Sequence, residues 1–224
     1  MRVAYLTLVL ALGAWAQARP SYLHNRHSTN LVWQTRATTF TGVDTTKTGT
    51  LIHWDFGDGT SQDINDPVKV YPDTSLKTVY MVAADGWGGL TVLDMNTRSL
   101  RGPIPSIARA TALVTFYVSV NQVTGSIPSL TANTALVSFY VSNNQLTGYT
   151  GGLGTRVLTT FDASTNALTD IAVNAILADL VVAQAGGNPV CTVSLSGGTN
   201  AAPTGQGLLD KATLIAAGWT VTTN

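Results

Sequence analysis

Charge and cysteine are scarce in this chain. Only 11% of its 224 residues are Asp, Glu, Lys or Arg, against about 25% in ordinary soluble domains. Acids and bases balance at 12 each, so no basic field exists to collect phosphates, and a nucleic-acid partner is not expected. The single cysteine, Cys191, cannot form an internal disulfide or a thiolate zinc site. It reads as a small buried hydrophobe. His24 and His27 in "HNRH" share an i,i+3 spacing but have no evident third ligand, so they read as an exposed linker and no metal site is assigned. G-x-S-x-G, H-E-x-x-H and phosphate-loop patterns are missing as well. The chain is therefore expected to be non-enzymatic and to need no cofactor.

Thr, Ser, Asn, Gly and Ala carry the polarity instead, a hydroxyl- and amide-rich composition that suits β-rich extracellular or virion proteins. Residues 1–18 open with Arg2, continue through an apolar Val3–Ala16 and end in Ala16-Gln17-Ala18. This is the pattern of a secretory signal, too short for a membrane span of about 20 residues. If retained, the same segment would be an apolar arm that docks into a partner.

Residues 19–86 read as a small antiparallel β-domain. "TNLVWQTRATTFTGV" holds one or two strands. In "LIHWDF", Ile52, Trp54 and Phe56 face one way, while His53 and Asp55 face the other, the period of a half-buried strand with His53 partly exposed. Asp58-Gly59 supplies a tight turn. "VKVYPDTS" and "KTVYMVAADG" give two further strands around a Pro72-Asp73 turn.

From Leu90 the chain repeats. Segments starting at Leu90, Leu113, Leu136 and Leu158 are separated by 23, 23 and 22 residues, within the range of about 20–29 for repeats of one strand per coil. Four rows are expected to point inward: Leu90/Leu113/Leu136/Leu158, Leu93/Phe116/Phe139/Phe161, Met95/Val118/Val141/Ala163 and Leu100/Val123/Leu146/Leu168. Asn121, Asn144 and Asn166 recur where backbone groups leave the strand ladder and need partners. Gly102, Gly125 and Gly148 turn the chain, and Ile104-Pro105 and Ile127-Pro128 give an extended back segment. Beyond Asp170 the spacing of Ile171, Ala175, Leu177 and Leu180 is helical. "CTVSLSGG" is a strand, "GQGLLDKATLIAAGW" a second helix, and "WTVTTN" a closing strand.

The repeats resemble leucine-rich repeats of the form L-x-x-L-x-L-x-x-N-x-L-x-G-x-I-P over roughly Leu90 to Asp170. They depart from it at Arg98, which replaces the first Asn and suggests a sheet edge there, and in the third repeat, which lacks Ile-Pro. "WDFGDGT" with Tyr71, Thr78 and Tyr80 resembles the PKD (polycystic-kidney-disease) type β-sandwich. The expected fold is therefore mainly β: a small antiparallel PKD-like β-sandwich (19–86), a short leucine-rich repeat solenoid (87–190) and a helix-containing C-terminal capping segment (191–224). Such module pairs look like those of phage or prophage virion proteins and of bacterial surface proteins. The resemblance implies a structural or receptor-contact protein on a virion surface, of phage fibre or decoration type. The alternative is a secreted bacterial adhesin. Implied partners are other virion or cell-surface proteins or a surface glycan, with assembly as an oligomer or docking through the N-terminal segment.

Asp55-Phe56-Gly57 mimics a kinase magnesium loop, but H-R-D and V-A-I-K are missing. Asp55, Asp58 and Asp63 could be taken for calcium ligands, yet D-x-D-x-D-G spacing is lacking. A better reading is carboxylates bonding turn amides. The candidate binding site lies instead on the outward side of the repeat strands. One row is Asp94, Tyr117, Tyr140 and Asp162; the next is Asn96, Ser119, Ser142 and Ser164. Paired tyrosines combine large contact area, low entropy cost and a hydroxyl.

Overall fold

The four inward rows are all buried, none more than 1% exposed, and they merge with the N-terminal aromatics into one hydrophobic core. A computed structural model describes residues 31–40, 44–49, 51–64, 67–83, 86–154 and 157–224. Residues 1–18, His24 and His27 lie outside the described residues. The fold is mainly β, with a β-solenoid-like region of about three turns and two helices.

The N-terminal part contributes β1 (Leu31–Thr35), β2 (Thr39–Phe40), β3 (Asp44–Lys47), β4 (His53–Asp55), β5 (Ser61–Asp63), β6 (Lys69–Val70) and β7 (Lys77–Val82). β4 and β5 form the antiparallel hairpin around Asp58-Gly59, with Trp54 opposite Gln62. Ile52, Trp54 and Phe56 are at most 1% exposed, as their alternation requires. Gly57 (φ +71°) packs so closely that a Cβ would lie 2.3 Å from the Thr78 carbonyl oxygen, so only glycine fits there. Tyr71 is buried and donates its hydroxyl to the Phe56 carbonyl at 3.1 Å. Burial first, then Asp58 and Asp55, push its pKa far up, so it stays a neutral donor.

The first three repeats supply two strands each and the fourth supplies one. β8 (Leu90–Asp94), β10 (Thr115–Tyr117), β12 (Ser138–Tyr140) and β14 (Thr160–Asp162) build a parallel front sheet. Inside it, Phe116, Phe139 and Phe161 stack with ring centroids 5.1 and 5.5 Å apart. β9 (Leu100–Pro103), β11 (Gln122–Ile127) and β13 (Gln145–Tyr149) build a second parallel sheet from the segments that follow Arg98, Asn121 and Asn144.

The first repeat is not a sheet edge, contrary to what Arg98 suggested. β3 pairs antiparallel with β8, and β1 pairs antiparallel with β9. The N-terminal strands thus continue both sheets, giving seven strands in each: β13-β11-β9-β1-β7-β4-β5 and β16-β15-β14-β12-β10-β8-β3, where β15 is Thr192–Ser194 and β16 is Thr220–Thr222. β15 and β16 extend the front sheet in parallel, with Phe161, Val193 and Val221 in register.

The asparagine series works as its chemistry requires. Asn166 Oδ1 accepts from Leu146 N–H at 3.0 Å, while Nδ2 donates to the carbonyls of Val141, Ala163 and Ser164. Asn121 and Asn144 repeat this pattern, and Asn121 Oδ1 takes both Arg98 and Leu100 N–H groups, so Arg98 needs no amide of its own. Just before this series, Thr97, Val120, Asn143 and Thr165 adopt left-handed backbone (φ 52–58°), one per repeat at the strand exit.

Helix α1 (Asp170–Ala185) starts at Thr169, whose side chain accepts from Ala172 N–H. Its buried face is Ala172, Val173, Ile176, Leu177, Leu180 and Ala183. Ile171 is 77% exposed and Ala175 is exposed, so the expected face was half displaced. Asp179 ties α1 to the third repeat by accepting from Tyr149 Oη (2.6 Å) and the N–H groups of Gly152 and Leu153. Helix α2 (Gln206–Ala216) packs on α1. Gly207 lies so close to Asn174 that a Cβ there would sit 2.0 Å from its Oδ1.

Candidate functional site

The front sheet brings the first expected row together. Asp94, Tyr117, Tyr140 and Asp162 stand side by side on β8, β10, β12 and β14. Neighbouring strands lie about 4.8 Å apart, and the Tyr117 and Tyr140 rings stack at 4.7 Å between centroids with a 29° interplanar angle. All four side chains are half-buried. Neither tyrosine hydroxyl has a hydrogen-bond partner among the described residues. Burial, then Tyr140 and Asp94, push the Tyr117 pKa above its ordinary value, so the phenol remains a donor at neutral pH.

The two carboxylates are held alike. Asp94 Oδ1 accepts from Asn96 N–H at 2.9 Å, and Asp162 Oδ1 accepts from Ser164 N–H at 3.0 Å. Each thus bonds the amide two residues on through one oxygen, which fixes the side chain. Arg98 is close enough to Asp94 for their charges to interact; burial lowers its pKa and Asp94 opposes that shift.

The second expected row, Asn96, Ser119, Ser142 and Ser164, is half-buried like the first except at Ser142, which is buried. Asn96 Oδ1 accepts from Ser119 N–H at 2.6 Å, Ser142 Oγ donates to Ser119 Oγ at 3.1 Å, and Ser142 is only 7% exposed. Ser164 contributes its backbone N–H to Asp162. The Asn96 and Ser164 amides hold the carboxylates of the first row, and Ser119 and Ser142 tie neighbouring strands to each other.

Sequence reasoning missed the continuation of the face. The row of tyrosines runs on through Ser194 and Thr222, and a parallel row runs Val92, Thr115, Ser138, Thr160, Thr192 and Thr220. The same alternation would have found the second row two residues earlier in each strand. Ser194 and Thr222 were hidden because β15 and β16 lie beyond the regular repeat.

The other candidates resolve locally. Asp55 Oδ1 accepts from Gly57 N–H, Asp58 Oδ1 from Thr60 N–H and Oγ1, and Asp63 Oδ1 meets His53 Nδ1 at 2.6 Å. Lys69 Nζ also reaches Asp58 at 2.5 Å. Although burial opposes it, these bonds hold the Asp58 carboxyl below its usual pKa. Three carboxylates with three separate tasks do not converge, and among the described residues no group of three His, Cys, Asp or Glu is placed to hold a metal ion. His53 is 8% exposed rather than partly open, because Asp63 across the hairpin gives its ring nitrogen a partner. Cys191 is fully buried, and burial pushes its thiol up to about 12. No helix among the described residues is long and apolar enough to cross a membrane. No protein-family model matches the chain, and a search of curated proteins finds no match.

Proposed function

We propose that the chain is a non-enzymatic structural and receptor-contact protein of a virion surface, of phage fibre or decoration type, with the front sheet as its binding face. The observation that carries this reading is the stacked Tyr117–Tyr140 pair. Two large amphipathic side chains stand half-exposed on a rigid sheet, with free hydroxyls and a carboxylate on either flank. Rigid tyrosines lose little entropy on binding, and a sheet continuous over seven strands holds them in place.

We read the repeats as leucine-rich repeats and the N-terminal strands as a PKD-like sandwich, with the helical segment closing the far end. The asparagine series supports the first assignment. The β4–β5 hairpin and the Tyr71–Phe56 hydrogen bond support the second. Partners are then other virion or cell-surface proteins or a surface glycan. A secreted bacterial adhesin is the second reading, favoured by the signal-like residues 1–18.

The test is binding of the purified full chain to intact host-cell envelopes. Saturable binding that the same unlabelled chain displaces is expected; its absence contradicts the reading. Mass spectrometry of the native N-terminus separates the two settings. Met1 retained fits cytoplasmic assembly into a virion, whereas a chain starting at Arg19 fits secretion.

A further inference from the structure

The row Asp94, Tyr117, Tyr140, Asp162 has a short-long-long-short profile. Stacking occupies one face of each tyrosine ring. The other face of Tyr140 looks toward the strand of Asp162, and that of Tyr117 toward the strand of Asp94. Each end of the pair is therefore a step: an aromatic wall above a carboxylate floor, about one strand spacing wide. A sugar ring laid on the sheet would meet ring edges, because the faces are turned along the row. A thin, planar cation entering on edge meets a face.

The two steps differ in charge. Arg98 is close enough to the Asp94 step for the two charges to interact. Asp162 has no charged or hydrogen-bonding side-chain partner among the described residues, and the only bond to its carboxylate there is from the Ser164 amide to Oδ1. No lysine or arginine stands in either outward row from Val92 to Thr220 or from Asp94 to Thr222.

We propose that the step between Tyr140 and Asp162 is a guanidinium site that receives an arginine side chain of a partner protein. The guanidinium stacks on the free Tyr140 face and donates two hydrogen bonds toward Asp162, whose Oδ2 is open. Lysine is a poorer fit, since its compact ammonium cannot stack and bond in a fork at once. The assignment rests on the binding-face reading and specifies the partner's chemistry: basic, protein and arginine-bearing.

The probe is N-acetyl-arginine amide, titrated into the full chain with ring-labelled tyrosine and followed by NMR. Tyr140→Phe identifies the Tyr140 signal by its loss. Arginine amide is expected to shift that signal saturably. The lysine and uncharged citrulline amides should bind about tenfold more weakly or not at all. Asp162→Asn keeps an Oδ1 acceptor for Ser164 and so keeps the fold, yet should weaken arginine binding about tenfold. Equal shifts with citrulline, no saturable shift, or an unchanged Asp162→Asn response would overturn the assignment. If tyrosine variants lose envelope binding but arginine amide gives no response, the guanidinium site fails and the binding face stands. If arginine amide binds but envelope binding survives loss of both tyrosines, the site stands and the binding-face reading fails.

Discussion

Replacing Asn166 by Ala tests whether the buried amide series holds the coil together. Asn166 is 3% exposed and makes four side-chain bonds. Not all of its partners would be orphaned. The Val141 carbonyl keeps Asn144 Nδ2, the Ala163 carbonyl keeps Asn200 Nδ2, and the Ser164 carbonyl keeps Asn143 N–H. Leu146 N–H, which Asn166 Oδ1 alone serves in this network, is left unpaired beside a fully buried side chain. An orphaned buried donor costs about 1–3 kcal/mol, and each lost bond about 0.5–1.5 kcal/mol more where its partner is only partly compensated. The expected total is about 3 kcal/mol. Equilibrium unfolding in guanidinium chloride measures it as a lower midpoint at unchanged slope. A loss below about 1 kcal/mol would refute the reasoning, since it would mean that the amide network is no better than water at satisfying these groups.

Val120 sits at φ 58° and is 53% exposed, so Val120→Asn should relieve backbone strain and stabilise by about 1 kcal/mol; a lowered thermal midpoint would contradict this. Gly57→Ala should destabilise by more than about 2 kcal/mol, because its Cβ meets the Thr78 carbonyl at 2.3 Å. Gly59→Ala, with nothing within 4 Å, should cost only the φ term of about 1 kcal/mol; equal losses in the two variants would argue against the close approach. Cys191, buried with its thiol near 12, should resist iodoacetamide in the native chain from pH 7 to 9 and react at once in denaturant. Because that folded value lies above the ordinary 9.0, ionising the thiol favours the unfolded chain, and stability from this group falls as pH rises past about 9.

The repeat core was legible because its period is strict and its inward positions differ in kind from their neighbours. The strand parity that placed Leu93, Phe116, Phe139 and Phe161 inside also placed Asp94, Tyr117, Tyr140 and Asp162 outside together. Where that contrast fades, the reading fades with it. β3, Asp44-Thr-Thr-Lys47, has no apolar alternation, yet it pairs with β8. The run "IAVNAILADLVVAQA" is apolar on all sides, so the sequence could not say that Ile171 would face out. Asn200 serves Leu168 N–H as Asn166 serves Leu146, but it stands five residues after Leu195, where Asn166 stands three after Ala163. Gly197 and Gly198, both at positive φ, take up the extra length. Buried Asn133 was missed for another reason. Its donors reach the Ile107 and Ala110 carbonyls, one coil back, and the matching position in the first repeat is Ala110.

The central claim is that the tyrosine pair on the front sheet makes the contact with the outside partner. The decisive measurement compares wild type with Tyr117→Ser/Tyr140→Ser for binding to host-cell envelopes, with unfolding followed on the same samples. The ring pair itself should contribute only about 0.2–1 kcal/mol to the sheet, so cooperative unfolding is retained. Binding should be abolished in the variant. Undiminished binding by a variant that still unfolds cooperatively would contradict the account.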